Sequence, residues 1–376
     1  MKKAIVAGHI CIDITPLFPH DKKAEELGDV LQPGHLINMN GVNVHTGGAV
    51  ANTGLAMRKL GCDVRLMGKI GDDEFGKMIL NVLDEYGYDG RSDMIIAAGE
   101  RTSYSVVLAV PGVDRIFLHD PGANNTFCLA DLDMEAVSEA DLFHFGYPPL
   151  MKRIYENNGT ELVAIMKAVK ATGAATSLDL AAVDPDSEAG RQDWRAILAN
   201  VLPYVDFFVP SVEELCYMLD RERYDEWVER ANGKDITMVL DPERDIKPLA
   251  DDLIEMGARV VLIKSGAPGM YYRTASADRL AEVGAGAGLD ASAWADLDGF
   301  ERSYLPSGVL SGTGAGDTSI AAFLTAMLEG RTPENCLQLS AATGTSCVES
   351  YDALGGLKSF DELEAKINAG WQKQVF

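Results

Sequence analysis

The chain has 376 residues and is 47% hydrophobic, enough to bury a large core in one big domain or two ordinary ones. Its 33 Lys plus Arg stand against 57 Asp plus Glu, a net charge of −24 that makes a poor surface for nucleic acid or an anionic membrane. The six cysteines are scattered without a C-x-x-C pair, which argues against a zinc site or disulfide scaffold and for buried thiols in a reducing compartment. No apolar run reaches membrane-spanning length. The apolar start carries His9 and Asp13 and lacks a cleavage pattern, so a cytoplasmic enzyme is expected.

In chain order, residues 3–11 read as one buried strand ending near Asp13. An acid at the carboxyl end of a strand sits where open α/β sheets place ligands, although Asp13 could also cap a turn before Pro16. Its glycines make no G-x-G-x-x-G, so a dinucleotide fingerprint is missing. Residues 34–45 are short and strand-like. Gly47 and Gly48 then open a helix that Gly61 ends. Asn52 lies in its first turn, leaning back toward the mouth that Gly47 and Gly48 form, and its amide suits sugar hydroxyls.

Strand 64–70 and helix 73–86 follow. Residues 102–118 alternate around Pro111-Gly112-Val113-Asp114, which predicts a β-hairpin appended as a flap. Further strands are expected at 142–145, 175–180, 205–209 and 259–264, and further helices at 161–171, from 210, at 249–256 and at 332–351. Residues 284–299, rich in Ala, Gly and Asp, read as an exposed connection. Repeated strand–helix alternation predicts a mostly parallel sheet with helices on both faces. A single domain over 1–376 with a flap is the simplest organisation, since no linker or repeat interrupts the chain.

The stretch Ser311-Gly312-Thr313-Gly314-Ala315-Gly316-Asp317 opens a small-residue helix. Unpaired N–H groups and the helix dipole make such a turn an anion site. Asp317 would repel an anion there, which makes sense if it accepts a proton from a hydroxyl attacking a phosphoryl group. The plainer alternative is a tight turn with an N-terminal helix acid.

Several separated segments together resemble the ribokinase-like (PfkB) carbohydrate kinase family. They are Gly47-Gly48-Ala49-Val50-Ala51-Asn52 with Gly61, the run from Gly68 to Gly76, and Gly314-Ala315-Gly316-Asp317. Lys264-Ser265-Gly266-Ala267-Pro268-Gly269 also falls where the family has a counterpart. The resemblance covers nearly the whole chain. It implies a doubly wound, mostly parallel α/β sheet flanked by helices, with a small β-sheet lid whose strands lie within 14–46 and 101–120. It implies ATP and Mg2+, and transfer of the γ-phosphoryl group to a sugar-like hydroxyl.

Carried over by residue, the resemblance makes Asp317 the catalytic base and Gly314, Ala315 and Gly316 the anion hole. Asp13, Gly47, Gly48 and Asn52 become substrate binders. Lys264, Gly266, Gly269 and Thr313 lie on the ATP side, and Glu214 orders water around magnesium. Without the resemblance, Glu214 reads as an ordinary first-turn helix acid. Ser311 and Gly312 stand where the family usually has Asp-Thr, which leaves monovalent-cation activation open. Ser211 replaces the usual Asn of Asn-x-x-Glu, which implies altered magnesium handling.

A nucleoside or inositol kinase of the same family is the alternative activity, and a non-catalytic sugar-binding regulator is a third reading. Retention of Asp317 and its glycines argues against the last. The partners expected are a small sugar and ATP, with a possible homodimer through exposed lid edges.

Overall fold

A computed structural model describes residues 1–19, 28, 30–112 and 115–375. Its strands are β1 (Lys3–Gly8), β2 (Cys11–Pro16), β3 (Val42–Gly47), β4 (Asp63–Gly71), β5 (Ile95–Ala97), β6 (Tyr104–Leu108), β7 (Ile116–Asp120), β8 (Leu142–Gly146), β9 (Ala175–Leu178), β10 (Phe207–Phe208), β11 (Val260–Lys264), β12 (Gly269–Thr274) and β13 (Asp298–Arg302). Nine of them form one sheet in the order β13-β12-β11-β10-β9-β8-β1-β4-β5, and four form a second in the order β3-β2-β6-β7. The large sheet is parallel from β5 to β11, with β12 and β13 antiparallel at one edge. The doubly wound expectation holds.

Period-two alternation sorts the central strands between two cores. Val6, Phe207 and Leu262 join one cluster, which includes the helix Ala315–Leu328. Ile5, Ala7, Phe208, Val261 and Ile263 join the cluster on the other face. Strands buried on both faces need continuous apolar runs, which explains why these segments were legible as strands.

The first strand is not continuous. Gly8 has φ 118, and a Cβ there would lie 2.3 Å from the Gly146 carbonyl oxygen. Only glycine passes this crossing, and the chain turns there from the large sheet into the small one. Asp13 therefore does not end a strand of the large sheet. It lies within β2, opposite His45 of β3 and Ser105 of β6.

Both segments expected to supply lid strands contribute to the small sheet. Val113 and Asp114 of the expected hairpin turn, and residues 20–27 and 29, lie outside the described residues.

One further reading needs correction. Residues 284–299 are not simply an exposed connection: they include the short helix Ala291–Trp294 and the start of β13. Trp294 is buried, edge-on to Phe323 at 5.9 Å between ring centroids. The Ala/Gly/Asp composition hid one large anchoring side chain. The helix expected at 161–171 is present and ends at Lys170; it follows a kink at Glu156, Asn157, Asn158 and Gly159, before which a further helical turn begins at Lys152.

Candidate active site

The site begins with the loop into the helix Ala315–Leu328. Gly314 caps it in the left-handed conformation at φ 75, and a Cβ there would lie 2.2 Å from that of Ala353. Ser311 Oγ accepts from the Thr313 N–H at 3.1 Å and so shapes the turn. Thr318 N–H closes the first helical turn on the Gly314 carbonyl at 2.9 Å. Among the described residues, the N–H groups of Gly314, Gly316 and Asp317 have no protein acceptor. These orphan donors, at the positive end of the helix dipole, fit an anionic group. A Cβ on Gly316 would meet only the Lys264 side chain, at 3.5–3.8 Å, so its glycine keeps the mouth of the amide cluster open.

The buried Asp317 carboxylate faces two donors. Asn52 Nδ2 donates to Oδ2 at 2.9 Å. The Tyr147 hydroxyl lies 2.7 Å from Oδ1 and 2.8 Å from Oδ2. Tyr147 follows Gly146 at the carboxyl end of β8 and is itself left-handed, at φ 65. Burial and the carboxylates of Asp317 and Asp179 push its phenol well above its ordinary pKa, so it stays a donor.

Beside this group Lys264 Nζ, at the end of β11, donates to both Asp179 oxygens at 2.8 Å. Burial pushes the Asp179 carboxyl up to about 7; Glu214 and Asp317 add to the rise and Lys264 opposes it. Glu214 is raised for the same reason, with Lys264 again opposing. Its carboxylate also accepts from the Ser211 N–H at 3.4 Å and completes a capping box for the helix Val212–Leu219. The helix-acid reading of Glu214 and its place beside Lys264 are thus both present. His144 stands behind, its Nδ1 2.9 Å from Ser177 Oγ.

The other wall comes from β2 and the helix Ala49–Lys59. A Cβ on Gly47 would lie 2.2 Å from Asp13 Oδ2, so that glycine makes room for the carboxylate. Gly48 has φ 86 and passes His9, whose carbonyl oxygen would lie 2.5 Å from a Cβ. Burial pushes the Asp13 carboxyl up, and the negative charge of Asp317 contributes. Neither ring nitrogen of buried His9 has a partner among the described residues. Its ring centroid is 5.1 Å from that of His119 on β7 and 6.0 Å from that of Tyr147.

The residues assigned to the ATP side divide. Gly266, at φ 60, lies in the turn joining β11 to β12. Gly269 starts β12, and a Cβ there would lie 2.1 Å from the Glu301 carbonyl oxygen, so its glycine serves the contact with β13. Thr313 Oγ1 accepts from the Arg115 guanidinium, which ties the loop before β7 to the helix mouth.

Asp13, Asn52, Lys264, Glu214 and Asp317 are therefore brought into one neighbourhood. Tyr147, Asp179, His9 and Arg115 belong to it and carry no role in the sequence reading. Among the described residues no group of three or more His, Cys, Asp or Glu could hold a metal ion directly. Glu214 and Asp179 fit a magnesium ion that keeps most of its water and takes its remaining ligands from phosphate.

Family-level sequence comparison matches residues 1–358 to the pfkB family carbohydrate kinase. An uncharacterized sugar kinase of Archaeoglobus fulgidus is 25% identical over 303 residues, 81% of this chain and 98% of that one. Among solved structures, Arabidopsis thaliana ribokinase complexed with ribose and ATP superposes with a TM-score of 0.70 at 21% identity, covering 97% of this chain and 98% of that chain. A putative ribokinase II from E. coli in complex with ATP and Mg2+ gives 0.67 at 21% identity, covering 98% and 100%.

Proposed function

This chain belongs to the pfkB family of carbohydrate kinases, and we propose that it transfers the γ-phosphoryl group of ATP to a hydroxyl of a sugar or sugar-like acceptor with Asp317 as base. One observation carries the reading: the Asp317 carboxylate and the unpartnered N–H groups of Gly314 and Gly316 converge at one helix N-terminus. Phosphoryl transfer asks for little more than a positioned base and fixed donors for developing charge. Each such donor contributes on the order of 3 kcal/mol.

Asp13 and Asn52 orient the acceptor through its hydroxyls. Asp317 takes the proton of the attacking hydroxyl as its oxygen bonds to the γ-phosphorus. The bond from that phosphorus to the β–γ bridging oxygen breaks, and ADP leaves. The amides of Gly314 and Gly316 meet the negative charge on the transferred group, and Lys264 stands beside them. Thr313, Gly266 and Gly269 line the ATP side. Glu214 and Asp179 would hold a hydrated magnesium ion, which would supply positive charge beside the phosphates.

The small sheet acts as a lid over the acceptor. Its edge strands β3 and β7 expose Val42, Phe117 and Leu118, which supports pairing with a second copy. Six unpaired cysteines support a cytoplasmic setting, and no helix among the described residues is long and apolar enough to cross a membrane.

The test is ADP release from the full chain over a panel of sugars, sugar phosphates, nucleosides and inositols, repeated with Asp317→Asn. The variant is expected to bind acceptor but to lose about 10²–10⁴-fold or more in kcat. Near-normal turnover by Asp317→Asn would remove the base assignment.

A further inference from the structure

The Tyr147 hydroxyl is nearly equidistant from the two Asp317 oxygens, at 2.7 and 2.8 Å. It therefore lies between them, where the inner lone pairs of a carboxylate converge. A base that is to deprotonate an acceptor hydroxyl must receive that hydroxyl on a carboxylate lone pair, and the phenol already covers the inner two of about four. Asn52 already takes a further site on Oδ2. The phenol is itself a hydroxyl donor, so it makes with Asp317 the same kind of hydrogen bond that an acceptor would make.

We propose that Tyr147 is a guard on the base: its phenol stands in for the acceptor hydroxyl, keeps water from being activated against ATP, and yields when the acceptor arrives. The proposal rests on the kinase reading above.

Two further observations favour displacement over a permanent bond. Tyr147 is held at φ 65 and ψ 46, a left-handed conformation that an aromatic residue adopts only where its surroundings enforce it. Its neighbours leave little freedom: Pro148 follows it, and a Cβ on the preceding Gly146 would lie 2.0 Å from that of Ala49. With the backbone fixed in this way, the phenol can leave the carboxylate by rotation of its side chain alone. The His9 ring, 6.0 Å away between centroids and with both nitrogens unpartnered, is a hydrogen-bond acceptor beside the released phenol.

The reaction prevented is ordinary hydrolysis. A water oxygen would bond to the γ-phosphorus, its proton would pass to Asp317, and ADP and inorganic phosphate would leave. Water is smaller than any acceptor and reaches the base wherever a hydroxyl can. The phenol, covalently tethered, excludes it at high effective concentration.

The experiment measures ADP release by the wild-type chain and by Tyr147→Phe, with and without acceptor, alongside a thermal midpoint to confirm folding. Tyr147→Phe is expected to raise acceptor-free ADP release about tenfold or more and to lower the acceptor KM by a similar factor, as loss of one hydrogen bond to a charged group implies. A Tyr147→Phe/Asp317→Asn double variant should abolish the added hydrolysis.

If the wild type phosphorylates an acceptor but Tyr147→Phe leaves acceptor-free release unchanged, the guard is refuted and the kinase reading stands. If the wild type phosphorylates no acceptor in the panel, the kinase reading falls and the guard falls with it. A crystal structure of the wild-type chain with its acceptor gives a check that needs no variant. Tyr147 Oη should then be beyond about 3.5 Å from both Asp317 oxygens, and retention of both bonds overturns the proposal.

Discussion

Replacing Lys264 with methionine tests the electrostatics of the site most directly. Lys264 makes two 2.8 Å bonds to an Asp179 carboxylate that is fully enclosed. Removing one partner of a buried pair typically costs about 3–5 kcal/mol, because the other charge stays buried without compensation. Here the penalty depends on pH. Asp179 already has its folded pKa raised to about 7, far above its unfolded value, and loss of Lys264 raises it further. A group with a raised folded pKa stabilises the native state while protonated, and that contribution is lost as pH rises through the folded pKa.

At pH 6 Asp179 escapes the loss of its partner by holding a proton, so Lys264→Met is expected to be mild. Above pH 7 the cost should grow by about 1.4 kcal/mol per unit until it reaches the full penalty. Urea unfolding at pH 6, 7, 8 and 9, followed by two probes, reads this out. Lys264→Met/Asp179→Asn should show a smaller and nearly pH-independent cost. A Lys264→Met penalty that is constant with pH, or below about 1 kcal/mol at pH 8, would refute the reasoning.

Two other predictions concern the frame around the base. Gly314→Ala should destabilise the chain by about 1–2 kcal/mol for the left-handed backbone alone, with the Ala353 clash added. Adding Ala353→Gly should recover only the clash, so full recovery in equilibrium unfolding would show that the backbone carries no strain. Burial, with Lys264 adding to it, pushes the His144 imidazole down to about 3. Its stabilising contribution is present above the unfolded histidine range and is lost as pH falls toward 3. His144→Gln should therefore flatten the decline of unfolding free energy below pH 6.5 by up to about 1.4 kcal/mol per unit, and an unchanged acid limb would count against it.

The parallel strands were legible because burial on both faces demands continuous apolar runs, as in Arg259 to Lys264. The two glycine-opened helices were legible because each start requires positive φ, at Gly48 and at Gly314. The break at Gly8 was not, since the crossing partner that enforces it, Gly146, is remote in sequence. Tyr147 contacts Asp317 across a separation of 170 residues, and no local periodicity announces such a contact. One signal existed: a polar aromatic directly after a buried strand and before Pro148-Pro149 lies at the carboxyl edge, where open sheets place ligands. Asp179 carried the same signal at the end of β9. The apparent strand end at Asp13 misled, because one apolar run feeds two sheets.

The helix that presents Asp317 has twelve of its fourteen residues buried and so has almost no outward face. Nearly every substitution along it is a core substitution, which closes that half of the site to gradual change. The edge strands β3 and β7 of the small sheet, largely exposed or half-buried, carry no such burden. Divergence toward new acceptors can proceed there by single exchanges, while the apparatus that moves the phosphoryl group stays fixed. Burial thus divides the site into a half where a substitution disturbs the core and a half where it does not.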